Sequence, residues 1–200
     1  MSKPTMLTRT SRPCATALKR PSSVRALAWL YYGGGFLAKG ETSRSRELLY
    51  EGLKEETLHG DSFSGRVLVG LCVLNWLSAD LRELRQVATH LLDVSNEHDL
   101  TESVGWALAF RGFGAYQAND LLAAESDFAA ETSQPYISHM APYSQSVFGL
   151  AAIYAARGDF TQADEIVNSL AVYGLQRNNL RIVRDADAFR AWLALKQGRT

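Results

Sequence analysis

Cysteine is nearly absent. Cys14 and Cys72 are the two among 200 residues. One lies in a polar N-terminal stretch and the other in an apolar helical run, so no disulfide framework is expected. Long apolar runs are missing as well. The longest, Val67 to Leu77, is broken by Gly70 and Asn75. It falls short of the roughly 20 residues that span a bilayer, so it reads as a buried helix and no membrane partner is expected. Acids are lacking before Glu41, although the whole chain balances 21 basic against 21 acidic side chains. The first forty residues therefore carry +7 (Lys3, Arg9, Arg12, Lys19, Arg20, Arg25 and Lys39) and the remainder −7.

Residues 1–23 are rich in Ser, Thr, Arg and Pro, and composition predicts a disordered basic leader. Such a segment can touch nucleic acid, an anionic membrane or the chain's own acidic body. It lacks the apolar core of a secretory signal. Pro4, Pro13 and Pro21 would interrupt the amphipathic helix of an organelle transit peptide. Cytoplasmic residence is the expectation.

Against these absences stands a repeat. Five short polar or glycine-containing breaks follow apolar helical stretches: Ala-Lys-Gly-Glu at 38–41, Ser-Ala-Asp-Leu at 78–81, Ala-Asn-Asp-Leu at 118–121, Arg-Gly-Asp-Phe at 157–160 and Gln-Gly-Arg-Thr at 197–200. Gly40, Ala79, Asn119, Gly158 and Gly198 mark the same place in each, at intervals of 39, 40, 39 and 40 residues. Each unit reads as two helices. An aromatic, Leu- and Ala-rich helix precedes the break and a more charged amphipathic one follows it, as in the Ala163, Ile166, Val167 and Leu170 stripe. Gly or Asn at the break accepts positive φ and ends the first helix. Asp80, Asp120 and Asp159 then cap the second. The pattern predicts helix pairs over about 24–39 with 42–57, 64–78 with 81–97, 102–118 with 120–132 and 143–157 with 160–176, with a last helix over 179–197. A proline-containing loop is expected from Pro135 to Pro142.

At these residues the chain resembles a tetratricopeptide repeat. The fourth unit matches best, through Leu150-Ala151, Tyr154, Gly158-Asp159-Phe160, Ala163 and Val167. The third keeps Gly112, Asn119-Asp120, Ala124 and Phe128. The first keeps Gly33, Phe36, Gly40 and Leu49, and the second Leu71, Asp80 and Ala88, with Cys72 where a small residue is usual. The resemblance implies an all-α, right-handed α-α superhelix, a tetratricopeptide-like solenoid of about four and a half helix-turn-helix repeats, spanning residues 24–200. The period exceeds the usual 34 and is similar to that in the MalT-like sensor region of large ATP-dependent LuxR-family transcriptional regulators. That likeness implies a sensor segment that binds a protein, a peptide or a small-molecule inducer in a transcription-regulation setting. A free-standing adaptor for protein-protein interaction is the alternative. An accessory subunit whose leader contacts nucleic acid is a third reading, in which the repeat domain itself does not bind nucleic acid.

The family's groove-facing positions map onto Arg66, Trp76, Trp106, Phe113, Tyr116, Gln145, Phe148 and Trp192. Large aromatics with a few polar groups suit a peptide or small ligand. Each aromatic taken singly also fits core packing between repeats. The last helix carries Phe189, Trp192, Leu193 and Leu195 with no second helix to cover them, so a partner, a dimer mate or further sequence is expected there.

Catalytic chemistry is missing. There is no G-x-x-x-x-G-K-[ST] phosphate loop, and Gly33-Gly34-Gly35 sits inside a helical pattern, where it marks close helix packing. His59, His90, His98 and His139 show no metal spacing, and no Ser/His/Asp set stands out. Cys72 reads as an inert core residue. The sequence predicts no catalytic residue, no metal and no cofactor.

Overall fold

The helix ends carry the repeat into three dimensions. Gly40, Ala79, Asn119, Gly158 and Gly198 all adopt positive φ, between 55° and 81°. At each, the break residue's N–H bonds to the carbonyl three residues back, and the following N–H to the carbonyl five back. Gly40 to Leu37 with Glu41 to Phe36 is one pair, and Gly158 to Ala155 with Asp159 to Tyr154 another. This is a Schellman closure, which satisfies carbonyls that the helix would leave orphaned. Immediately afterwards Asp80, Asp120 and Asp159 accept from the backbone N–H of Glu83, Ala123 and Gln162 at 3.3, 3.3 and 3.0 Å. Each such cap contributes about 1 kcal/mol.

The computed structural model describes residues 25–59, 64–133 and 140–199. Among them are nine helices and no strand. They are α1 (Arg25–Ala38), α2 (Thr42–His59), α3 (Ser64–Leu77), α4 (Leu81–Glu97), α5 (Thr101–Gln117), α6 (Leu121–Thr132), α7 (Met140–Ala156), α8 (Phe160–Gln176) and α9 (Leu180–Lys196). The leader over 1–23 lies outside the described residues. Of the loop expected from Pro135 to Pro142, residues 135–139 lie outside the described residues, and α7 already begins at Met140. Proline is tolerated in a first helical turn, whose N–H groups have no intrahelical partner.

Two compact units result, one from α1–α4 and one from α5–α9. In the first, α1 packs on α2 and α3, α2 on α3, and α3 on α4. In the second, α5 packs on α6 and α7, α6 on α7, α7 on α8 and α9, and α8 on α9. The first helix of each pair is nearly free of charge: α1 has Arg25 alone, α3 has Arg66 alone and α7 has none. A helix apolar all round is buried all round, and ten of the seventeen residues of α7 are buried.

The cores use one device twice, 79 residues apart. In the first unit Leu49 on α2 is wedged between Gly33 and Gly70, where an added Cβ would meet its side chain at 2.9 and 3.2 Å. In the second, the fully buried Phe128 on α6 is wedged between Gly112 and Gly149. A Cβ at Gly112 would stand 2.6 Å from the Phe128 ring, and one at Gly149 would overlap that ring. Of the triple glycine, Gly33 does mark close packing. Gly34 and Gly35 face open space, because they lie on the outer side of α1.

Ion pairs clip successive helix pairs together. Arg46, Glu125 and Asp164 occupy one repeat position, separated by 79 and 39 residues. Arg46 bonds Asn75 at 2.8 Å and approaches Asp80 at 3.8 Å. Glu125 holds Arg157 at 2.7 Å, and Asp164 holds Arg199 at 3.6 Å. Exposed pairs of this kind contribute little energy singly, roughly 0.2–1 kcal/mol. Their recurrence serves register.

Candidate binding face

Within each unit the first helices approach one another while the second helices do not. In the second unit α5 packs on α7 and α7 on α9, whereas α6 and α8 make no close approach. In the first unit α1 packs on α3, while the backbones of α2 and α4 stay apart and are bridged by the Tyr50 and Glu83 side chains. Helices that touch on one side and splay on the other form the inner wall of a curve, so in each unit the first helices make the inner row.

Six of the eight expected groove residues stand on the inner row of the second unit: Trp106, Phe113 and Tyr116 on α5, Gln145 and Phe148 on α7, and Trp192 on α9. All six are half-buried. Trp106 stacks on the buried Phe110, with ring centroids 5.6 Å apart. Phe113 meets Phe128 edge-on at 5.1 Å, and Tyr116 packs on the same core. These three aromatics are therefore partly core. The structure brings Phe148 and Trp192 together at 5.4 Å. Arg66 and Trp76 belong to the first unit, on α3, where both are exposed.

Phe189 is absent from the expected set, yet it completes the group. It stacks on Phe148 at 4.4 Å, with ring planes 25° apart. Lys196 places its ammonium 5.7 Å from the centre of the Trp192 ring. Phe148, Phe189 and Trp192 thus make a shelf of three aromatics across α7 and α9, edged by one cation. The signal for Phe189 is in the sequence, since it lies 79 residues after Phe110 and three before Trp192. The shelf also corrects the expectation that Phe189, Trp192 and Leu193 on α9 lack cover. Leu193 is fully buried, and Phe189 and Trp192 pack on the core of α7 and α8. Only Leu195 of the four remains exposed, at 68%.

Several polar groups near the inner row are engaged structurally. Arg111 on α5 grips Asp127 on α6 through Nε at 2.8 Å and through Nη2. Ser144 on α7 donates to Asp185 on α9 at 3.2 Å. In the first unit the Tyr50 hydroxyl donates a short bond to Glu83. Burial, then that bond and the Glu83 charge, push its pKa up to about 12. Burial also raises the Cys72 thiol, which stays protonated and unreactive near neutrality. Among the described residues no three His, Cys, Asp or Glu side chains gather where a metal could sit. His139 lies outside the described residues. No helix of the described residues is long and apolar enough to cross a membrane.

The sequence matches no family model and no curated protein. Solved structures do match. One is that of "Podosopora anserina putative kinesin light chain nearly identical TPR-like repeats", with a TM-score of 0.63 and 11% identity over 90% of this chain and 98% of that one. Another is BtubC (BKLC) from P. vanneervenii, with a TM-score of 0.66 and 16% identity over 90% of this chain and 71% of that one. At such identities the likeness is one of fold, and the fold is that of a tetratricopeptide-like helical repeat.

Proposed function

We propose that this chain is a non-catalytic protein-interaction module whose inner helix row holds a peptide or helix from another protein. One observation carries the reading. The Phe148, Phe189 and Trp192 shelf is only half-buried, and it lies on a row whose central helix, α7, has no charge. Rigid aromatics with accessible faces give large contact area at low entropic cost. Gln145, one helical turn before Phe148, supplies a polar group beside the shelf. Arg66 stands at the equivalent position of α3, 79 residues earlier, and Trp76 lies on the same helix. They offer the first unit a basic and an aromatic contact. A transcriptional-regulator setting draws its support from the sequence resemblance and the repeat length.

The test begins with selection of peptide ligands from a random displayed library against the full chain. Affinities of the selected peptides are then measured for the wild type and for Gln145→Arg and Trp192→Leu. Each variant should weaken binding about tenfold or more, which is about 1.4 kcal/mol, and Gln145→Arg, which removes no apolar packing, should melt close to the wild type. Selected peptides that bind both variants as tightly as the wild type would sink the assignment of this face.

A further inference from the structure

The outward side of α9, opposite the buried Ile182, Ala186 and Leu193, carries a stripe with an internal symmetry. At helical spacing it reads Leu180, Arg184, Asp187-Ala188, Ala191 and Leu195, and every one of these residues is exposed. The two leucines are 66% and 68% exposed and close the stripe at its ends. At a rise of 1.5 Å per residue they stand about 22 Å apart. The middle of the stripe holds only a short acid and two alanines, which allow another helix to come close. Arg184 and Asp187, of opposite charge, stand on either side of one helical turn.

We propose that this face pairs with the same face of a second copy of the chain, α9 lying antiparallel on α9 about a two-fold axis between Asp187 and Ala188. The occupant follows from the order of residues. Reversing the stripe about that point lays Leu180 on the partner copy's equivalent of Leu195, and Leu195 on its equivalent of Leu180. It sets Arg184 against the small side chain at position 191 of the other copy, within one helical turn of the acid at position 187. Both contacts are made twice, as an isologous interface requires. The two Asp187 side chains also meet near the axis, each paired with Arg190 of its own chain, whereas a parallel pairing would set arginine beside arginine as well. Asp187 already holds Arg190 of its own chain at 2.8 Å. Its side chain is 63% exposed, which leaves room for a second cation. This contact goes beyond the peptide-binding proposal and uses the opposite side of α9, so the two succeed or fail separately.

Sedimentation equilibrium of the full chain over a range of concentrations tests it. The expected result is a reversible monomer–dimer equilibrium. Leu195→Glu should weaken the dimer tenfold or more without lowering the melting temperature of the monomer. Arg184→Asp and Asp187→Arg should each weaken it in the same way, since each sets like charges across the axis. Mixing those two variants should restore pairing, because the heterodimer regains both opposite-charge contacts. A monomer at every concentration, as expected if another protein covers this face, overturns the proposal. So does a dimer that ignores the substitutions, and so does a mixture that fails to re-form dimers.

Discussion

Ala79 holds φ at +55°, a conformation in which its Cβ crowds the following carbonyl. Gly40, Gly158 and Gly198 occupy the same place without that penalty. Ala79 is exposed, so little burial is lost with its methyl group. Ala79→Gly should therefore stabilise the protein by about 0.5–1 kcal/mol, seen as a rise of a few degrees in melting temperature. Gly149 presents the opposite case, because any Cβ there overlaps the Phe128 ring. Gly149→Ala should cost about 1–3 kcal/mol by overpacking. Shortening the wedge with Phe128→Leu in that background should recover part of the loss, although Phe128→Leu alone is destabilising. A denaturant midpoint for each single and double variant decides this. Leu49 with Gly33 and Phe128 with Gly112 were legible at this scale as repeat positions, and so were the five turns, whereas Gly70 and Gly149 were not. The aromatics were less so. Phe113 divides its ring between core and surface, and no one-dimensional pattern states that proportion.

Helix boundaries were readable to within a few residues because caps and turn residues are local chemistry. Pro142 reads as loop in the sequence yet lies in the first turn of α7, because a proline in a first turn and a proline in a loop look alike in sequence. The clips between helix pairs were not readable at all. Arg46 meets Asn75 and Asp80 only because α2 lies across the end of α3, and nothing in the spacing of these residues announces that crossing. The same junction yields a pH prediction. Tyr50 on α2 donates to Glu83 on α4, and its pKa is raised from 10.0 to about 12 in the folded state. A group whose folded pKa is raised contributes its stability below the unfolded value and loses it on the way up to the folded one. Stability should therefore fall between about pH 10 and pH 12 more steeply in the wild type than in Tyr50→Phe. Paired urea titrations across that range would show it, and parallel curves would contradict it.

Among the described residues, helix contacts run only between near neighbours in each unit, as expected of a repeat array whose stability sums local terms. Damage should then stay local. In Gly149→Ala, amide hydrogen exchange should accelerate across α5, α6 and α7 while α1 and α2 keep their protection. Uniform acceleration through all nine helices would show a more cooperative molecule than this contact pattern allows. The beat of the chain was its most legible property. Its gathering into two wedge-centred units was not, because Leu49 and Phe128 differ in type and only their shared neighbours reveal the equivalence. That 79-residue equivalence bears on how such a chain changes length. Gly40 and Asn119 are the same turn in the same conformation, followed in each case by an acidic residue. A genetic exchange that joins one to the other adds or removes two whole repeats and leaves each turn with a closure it already knows how to make. Insertions of other sizes break that phase. Length in this architecture is therefore editable in steps, and the turns are the places where an editor, natural or experimental, can cut.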